Sequence, residues 1–314
     1  MRSTFAHRTF GLAAGALALI AAARLARSQT PGSSAPPAAA AGGACPAGMI
    51  PNPGGTFPMG SAEGQGAADE HPQHPVTLSA FCIDRTEVTV ARYEACVTAG
   101  RCAAAPTEEQ RDDTANASAA ERRFANGNCN GGHADRQDHP INCVDWNQAR
   151  AYCEWSGGRL PTEAEWEFSA RGTDARRFPW GNAPPIPLVA NVCRGECVAA
   201  AQQGGRRITS TFTGQDSAAA TQTVGRFLAG TTRSGLVDMA GNVAEWTGDL
   251  YGQYAEGSAT DPTGTVLGTG RTVRGGGWSA TRADELAVTT RVNRPSSTRA
   301  ADLGFRCVRP AAHR

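Results

Sequence analysis

The stretch Gly235–Asp249, GLVDMAGNVAEWTGD, holds the first residues whose types and spacing could do chemistry. Asp238 and Glu245 are carboxylates seven residues apart, and Gly241-Asn242 lies between them. That dipeptide suits a tight turn, because glycine carries no steric penalty at positive φ and asparagine tolerates it. Such a turn lets both acids converge on one point, and the backbone carbonyls it frees can fill the gaps. The result is a hard, all-oxygen environment of the kind calcium takes with roughly six to eight ligands. The competing reading is a surface turn with solvated acids, and these residues alone favour it, since short motifs match by chance.

Other chemistry-bearing residues are scattered. Ten cysteines form an even set with no CxxC pair. In an exported chain such a set reads as a disulfide framework, and the spacings do not fit a zinc ribbon. His71 and His74 sit in EHPQHP with no third ligand nearby, which favours a surface loop over a metal site. The 314 residues carry a net charge of +1, with 30 basic residues, all arginine and spread along the chain, against 29 acids. That balance gives no electrostatic reason to bind nucleic acid. Gly 37 and Pro 19 with few long periodic runs indicate a loop-rich globular domain, and 40% hydrophobic residues suffice for a core.

The elements that must position these residues follow in chain order. Residues 1–28 read as a secretory signal, with Arg2, His7 and Arg8 ahead of the apolar run Phe10–Ala23. Residues 29–44 form a Pro/Ala/Gly/Ser linker, and a domain spans 45–310. PGGTFPMGS predicts a turn and a short strand, and VTLSAFCIDRTEV one alternating strand. Thr89 is an expected N-cap for a helix running to about Thr98. The polar segment 103–138 reads as a surface insertion. Asp145 caps a helix presenting Trp146, Ala149 and Cys153, ended by Gly157-Gly158. Thr162 and Glu165 make a capping box for the next helix, and Glu163, Glu165 and Glu167 there serve capping and salt bridges rather than catalysis. Residues 188–230 read as irregular, with Asn191, Cys193 and Cys197 in a loop. The C-terminal part reads as a strand, a long loop and a closing strand.

Six further stretches accompany 235–249: GGTFPMGS (54–61), HPVTLSAFCIDRTEVT (74–89), HPINCVDWNQARAYCEWSGGRLPTEAEWEFSARG (139–172), FPWG (178–181), VRGGGW (273–278) and GFRCVR (304–309). Together, from about Cys45 to Arg309, the chain resembles the formylglycine-generating enzyme family, or sulfatase-modifying factors. The resemblance implies an α+β fold, irregular, low in regular structure and of the complex C-type-lectin-like kind. It implies structural Ca2+ at two sites: Asn191, the Val192 backbone, Asp216 and the Ala218 backbone at one; Asp238, the Gly241 and Val243 carbonyls and Glu245 at the other. It pairs Cys153 with Cys307, while a second family disulfide would need cysteines at Ala170 and Thr290. For the other eight cysteines, short spacings suggest Cys96–Cys102, Cys129–Cys143 and Cys193–Cys197, leaving Cys45–Cys82.

The family oxidises a substrate cysteine with O2 on a copper ion held by two thiolates, ligands that suit Cu(I). Here those positions are Ala280 and Glu285; the expected serine is Gly277 and the expected active-site tryptophan is Ala244. Copper is therefore not expected, and a non-oxidase binding or accessory module is. It would take a polypeptide or small ligand in the family groove, bind no nucleic acid, have no transmembrane span once mature, and be a periplasmic or secreted monomer. A periplasmic oxidoreductase of the siderophore-maturation type, with His133, His139, Asp284 and Glu285 as its groups, is the alternative, alongside a purely structural envelope protein.

Overall fold

The computed structural model describes residues 45–111 and 117–311. The signal and linker readings, 1–28 and 29–44, lie outside the described residues. Among the described residues, five short α-helices and three small sheets are joined by long irregular segments. Strands β1 (Met49–Asn52), β4 (Phe81–Asp84) and β10 (Val308–Pro310) form one sheet, with β4 in the middle and both neighbours antiparallel to it. Strands β2 (Gly55–Met59), β3 (His74–Leu78) and β6 (Ala259–Thr260) form the second. The third, ordered β8-β7-β5-β9, contains β5 (Ala244–Leu250), β7 (Arg271–Arg274), β8 (Arg291–Arg294) and β9 (Leu303–Gly304).

The helix starts are set by the caps visible in the sequence. Thr89 accepts from the Arg92 N–H at the head of α1 (Val90–Thr98). Reciprocal capping boxes open α3 (Trp146–Trp155) at Asp145 and α4 (Glu163–Arg171) at Thr162. All of α4 is buried, including its three glutamates and Arg171. It packs on β2, β3, β5 and β7, so it has no solvent face, and each of its charges needs a partner. Arg159 holds Glu165; Arg291 holds Glu163 at 2.7 Å; Arg171 and Arg274 hold Glu167. The acids are structural, as their positions in the capping box suggest.

Four sequence expectations are corrected. The single strand expected over VTLSAFCIDRTEV is two strands in different sheets, broken where Asp261 binds both the N–H and the hydroxyl of Ser79. The insertion 103–138 is not only surface: it carries α2 (Ala119–Gly127), opened by a Ser118–Glu121 capping box, and fully buried Asn130. The Cys129–Cys143 disulfide and the Asn130–Asn142 hydrogen bond pin it to the body. Residues 188–230 contain α5 (Gly195–Gln203), so Cys197 lies on a helix. His74 is buried, its ring 5.0 Å from that of Tyr254, rather than in a surface loop.

The disulfides are Cys45–Cys82, Cys96–Cys102, Cys129–Cys143, Cys153–Cys307 and Cys193–Cys197, and no free cysteine is left. These are the pairs at which the sequence reading arrives. Among the described residues, no helix is long and apolar enough to cross a membrane.

Asp249 on β5 accepts the N–H of Glu163, the first residue of α4, at 2.9 Å. Burial is the main cause that pushes its carboxyl from 3.8 up to about 7. The folded chain thus keeps a proton that the unfolded chain releases in the ordinary aspartate range. Stability from this group is full at low pH and is lost as pH rises through about 7. Asp249→Asn keeps the acceptor and removes the ionisation. Urea unfolding should therefore show the variant gaining on the wild type between about pH 4 and about pH 7. A difference that stays flat over that window would refute the assignment.

Candidate functional site

The turn of GLVDMAGNVAEW is built on positive φ at Asp238, Gly241 and Asn242 (57°, 83° and 58°). At Gly241 a Cβ would lie 2.5 Å from the Asn191 carbonyl oxygen, so only glycine lets the two calcium-expected segments touch. Asn242 fixes this contact: its N–H donates to that carbonyl, and its side chain bonds Asn191, Gln222 and Glu87.

Beyond the turn, Glu245 meets Arg306 of GFRC. The guanidinium donates to both carboxylate oxygens at 2.7–2.9 Å, and Trp166 Nε1 donates to Oε2 at 2.9 Å. The remaining Arg306 donors reach the carbonyls of Asp84, Arg85, Val237 and Asp238. Glu245 is thus committed to protein donors. Uncommitted oxygen at this second expected site lies instead on Glu87, which is fully buried with Oε2 unpartnered. Burial, with Asp238 next in weight, pushes Glu87 well above the ordinary carboxylate range. Burial raises Asp238 too. Sequence reading missed Glu87 and Arg306 because they lie 155 and 61 residues from their partners, Asn242 and Glu245.

The first expected site fits a hard cation more directly. Asn191 Oδ1 and Asp216 Oδ2 are buried and have no hydrogen-bond partner. Asp216 Oδ1 accepts from the Ala218 N–H, and burial raises its carboxyl above the ordinary value. Arg194 approaches, with Nε 3.4 Å from Oδ2, but makes no hydrogen bond there. Asn191 Oδ1, a buried oxygen without a hydrogen bond, is of the kind calcium satisfies, while Asp216 Oδ2 has the Arg194 guanidinium as its only counter-charge among the described residues. Among the described residues no group of three or more His, Cys, Asp or Glu is arranged to hold a metal, so backbone and amide oxygens would have to supply the rest.

Ala280 and Glu285, the positions where the resemblance expects copper thiolates, line one open cavity of about 250 Å3 under the third sheet, with Ala244, Gly277 and Asp302. Ala280 presents a buried methyl group to it. Glu285 folds back, accepting from the Thr281 N–H at 3.1 Å and pairing with Arg282 at 3.2 Å. Of the four residues proposed for a redox alternative, Glu285 alone lines this cavity. His139 bonds Thr221, His133 approaches Asp135, and Asp284 pairs with Arg282.

An irregular core beside an open groove, on small sheets tied by the Cys153–Cys307 disulfide, describes an α+β protein of the C-type-lectin-like class. Residues 37–311 match the family described as sulfatase-modifying factor enzyme 1-like domain. A formylglycine-generating enzyme of Streptomyces coelicolor is 34% identical over 295 residues, covering 84% of this chain and 90% of that protein. The bovine (Bos taurus) inactive C-alpha-formylglycine-generating enzyme 2 is 31% identical over 287 residues, covering 82% and 87%. Among solved structures, PvdO from Pseudomonas aeruginosa shares the fold at a TM-score of 0.63 and 24% identity, covering 83% of this chain and 94% of that one. The chain belongs to the sulfatase-modifying factor, or formylglycine-generating enzyme, family.

Replacing Glu245 with Gln leaves the Arg306 guanidinium buried without its counter-charge. Urea denaturation of Glu245→Gln should show a loss of about 3–5 kcal/mol. A loss under about 1 kcal/mol would mean that the pair is solvated.

Proposed function

We propose that this chain is an exported, non-oxidase binding or accessory module of its family. The observation that carries the reading is the state of the sulfur. All ten cysteines are in disulfides, and Ala280 and Glu285 stand where the resemblance puts the two copper thiolates. A methyl group and a self-capped carboxylate are no soft donor set for Cu(I). Ala244 and Gly277 replace two more expected active-site residues, yet the groove stays open. The family also includes a relative whose name calls it inactive. Five disulfides support export, because such bonds persist in oxidising compartments.

Calcium is the second part of the proposal. Asn191, Val192, Asp216 and Ala218 would hold one ion, supported by the two orphan oxygens. Asp238 and the Gly241 and Val243 carbonyls, with Glu245 bound to Arg306, make the weaker second set. The ion would tie irregular chain together and take no part in catalysis.

Metal analysis and oxygen-electrode assays test this on oxidised protein purified without chelator. The expected outcome is calcium near one equivalent, no stoichiometric copper after Cu(I) loading, and no O2 uptake with a cysteine-containing sulfatase peptide. Copper-dependent turnover would overturn the non-oxidase reading. Chelation by EDTA should lower Tm in the wild type but not in Asp216→Ala; equal responses would remove the first calcium site.

A further inference from the structure

We infer that the groove takes a short peptide through a single carboxylate, held by Arg294, with a small apolar group seated over Ala244, Gly277 and Ala280. This rests on the binding-module reading and names the ligand class for it.

Strand β8 fixes the direction of the side chains. Successive residues point to opposite faces. Arg291 turns inward and pairs with Glu163, so Val292 and Arg294 lie on the other face and line the groove. Val292 is 38% exposed there. Every other charged group on the lining is already engaged. Arg274 binds Glu167 and the carbonyls of Thr289 and Thr290. Glu285 is held by Thr281 and Arg282, and Asp302 by Ser279 and Arg111. The Arg294 side chain has no hydrogen bond or ion pair among the described residues. A guanidinium in that state offers a preformed fork for a carboxylate.

Charge and volume narrow the class further. Glu285 and Asp302 flank the same space, so a phosphate dianion would meet two carboxylates and one guanidinium. A carboxylate carries half that charge, and the two acids can accept N–H groups from a peptide backbone. The cavity, about 250 Å3, falls below the usual range for drug-sized ligands, roughly 300–1,000 Å3. It suits one side chain and a chain end. Three small residues shape it. Ala244 stands where a tryptophan is expected, and a Cβ on Gly277 would lie 2.6 Å from the Asp302 carbonyl oxygen.

Isothermal titration tests the inference with four probes: N-acetyl-Ala-Ala-Leu as free acid, the same peptide as C-terminal amide, the amide with aspartate at its centre, and inorganic phosphate. Binding of the free acid, or of the aspartyl amide, about tenfold or more above the plain amide supports the inference and identifies the source of the carboxylate. Arg294→Gln should level the probes, and Ala244→Trp should abolish binding with Tm unchanged. Equal binding of all peptides, no peptide binding at about 1 mM, tighter binding of phosphate, or a preference that survives Arg294→Gln would each overturn it. The oxygen electrode on the same samples separates the two levels. O2 uptake would remove the module reading, whereas no uptake with no carboxylate preference would remove this inference alone.

Discussion

The buried ion pair between Arg306 and Glu245 is the interaction on which the remaining structure depends. Both residues are essentially inaccessible to water. Taking two charges into the interior costs several kcal/mol each, so the pair can exist only if every donor is used. It is: the guanidinium binds the carboxylate and four carbonyls from two separate segments, the end of β4 at 84–85 and the turn at 237–238. Asp84 ends β4 and the Arg85 carbonyl also accepts the Val237 N–H, so the guanidinium ties the end of that strand to the turn at 237–238. One side chain thus takes the place of secondary structure where the chain has little. Trp166 adds a second hold on Glu245 from α4, and the next residue, Cys307, is bonded to Cys153 on α3. The last strand, the central strand and two helices therefore share one fixed point.

A second network extends the same logic under the groove. Glu163 and Glu167 on α4 face Arg171, Arg274 and Arg291 in a region closed to water. Arg274 leads into Gly275–Gly277, and a Cβ at Gly275 would lie 3.0 Å from the Trp166 ring. The floor of the groove is thus tied to a charged, fully buried helix rather than to the residues that face the opening. This explains how positions 244, 280 and 285 can change while the fold persists. None of them carries a bond in either network.

What the sequence revealed follows the range of each interaction. Caps at Thr89, Asp145 and Thr162 act over three residues, and each was legible. The Ser118–Glu121 box uses the same signal and was passed over because its surroundings are polar and weakly periodic. Helix α5 has no side-chain cap at Arg194, so it left no comparable mark. The break at Ser79 depends on Asp261, 182 residues away, and no local pattern reports it. At the candidate site, Asp238 and Glu245 stand out by their spacing around Gly241-Asn242, and Asn191 and Asp216 are named through resemblance. Glu87 and Arg306 decide how those oxygens are used, and they emerge only when the chain is folded.

The replaced positions differ in what they remove. Thiolate donors are specific in their chemistry, and a methyl group or a carboxylate cannot supply their softness. Shape is less specific, since smaller residues enlarge a cavity without closing it. Loss of the expected tryptophan at Ala244 and of the cysteine at Ala280 therefore acts in two directions at once. On the proposed reading it removes the means of holding copper, and the small side chains leave space beside the Arg294 guanidinium. An apolar hollow next to one free charge is a recognition feature, because orientation comes from the charge and selectivity from the volume. On the proposed reading, the residues that leave no thiolate for copper are also the ones that shape a binding site on the same rigid floor.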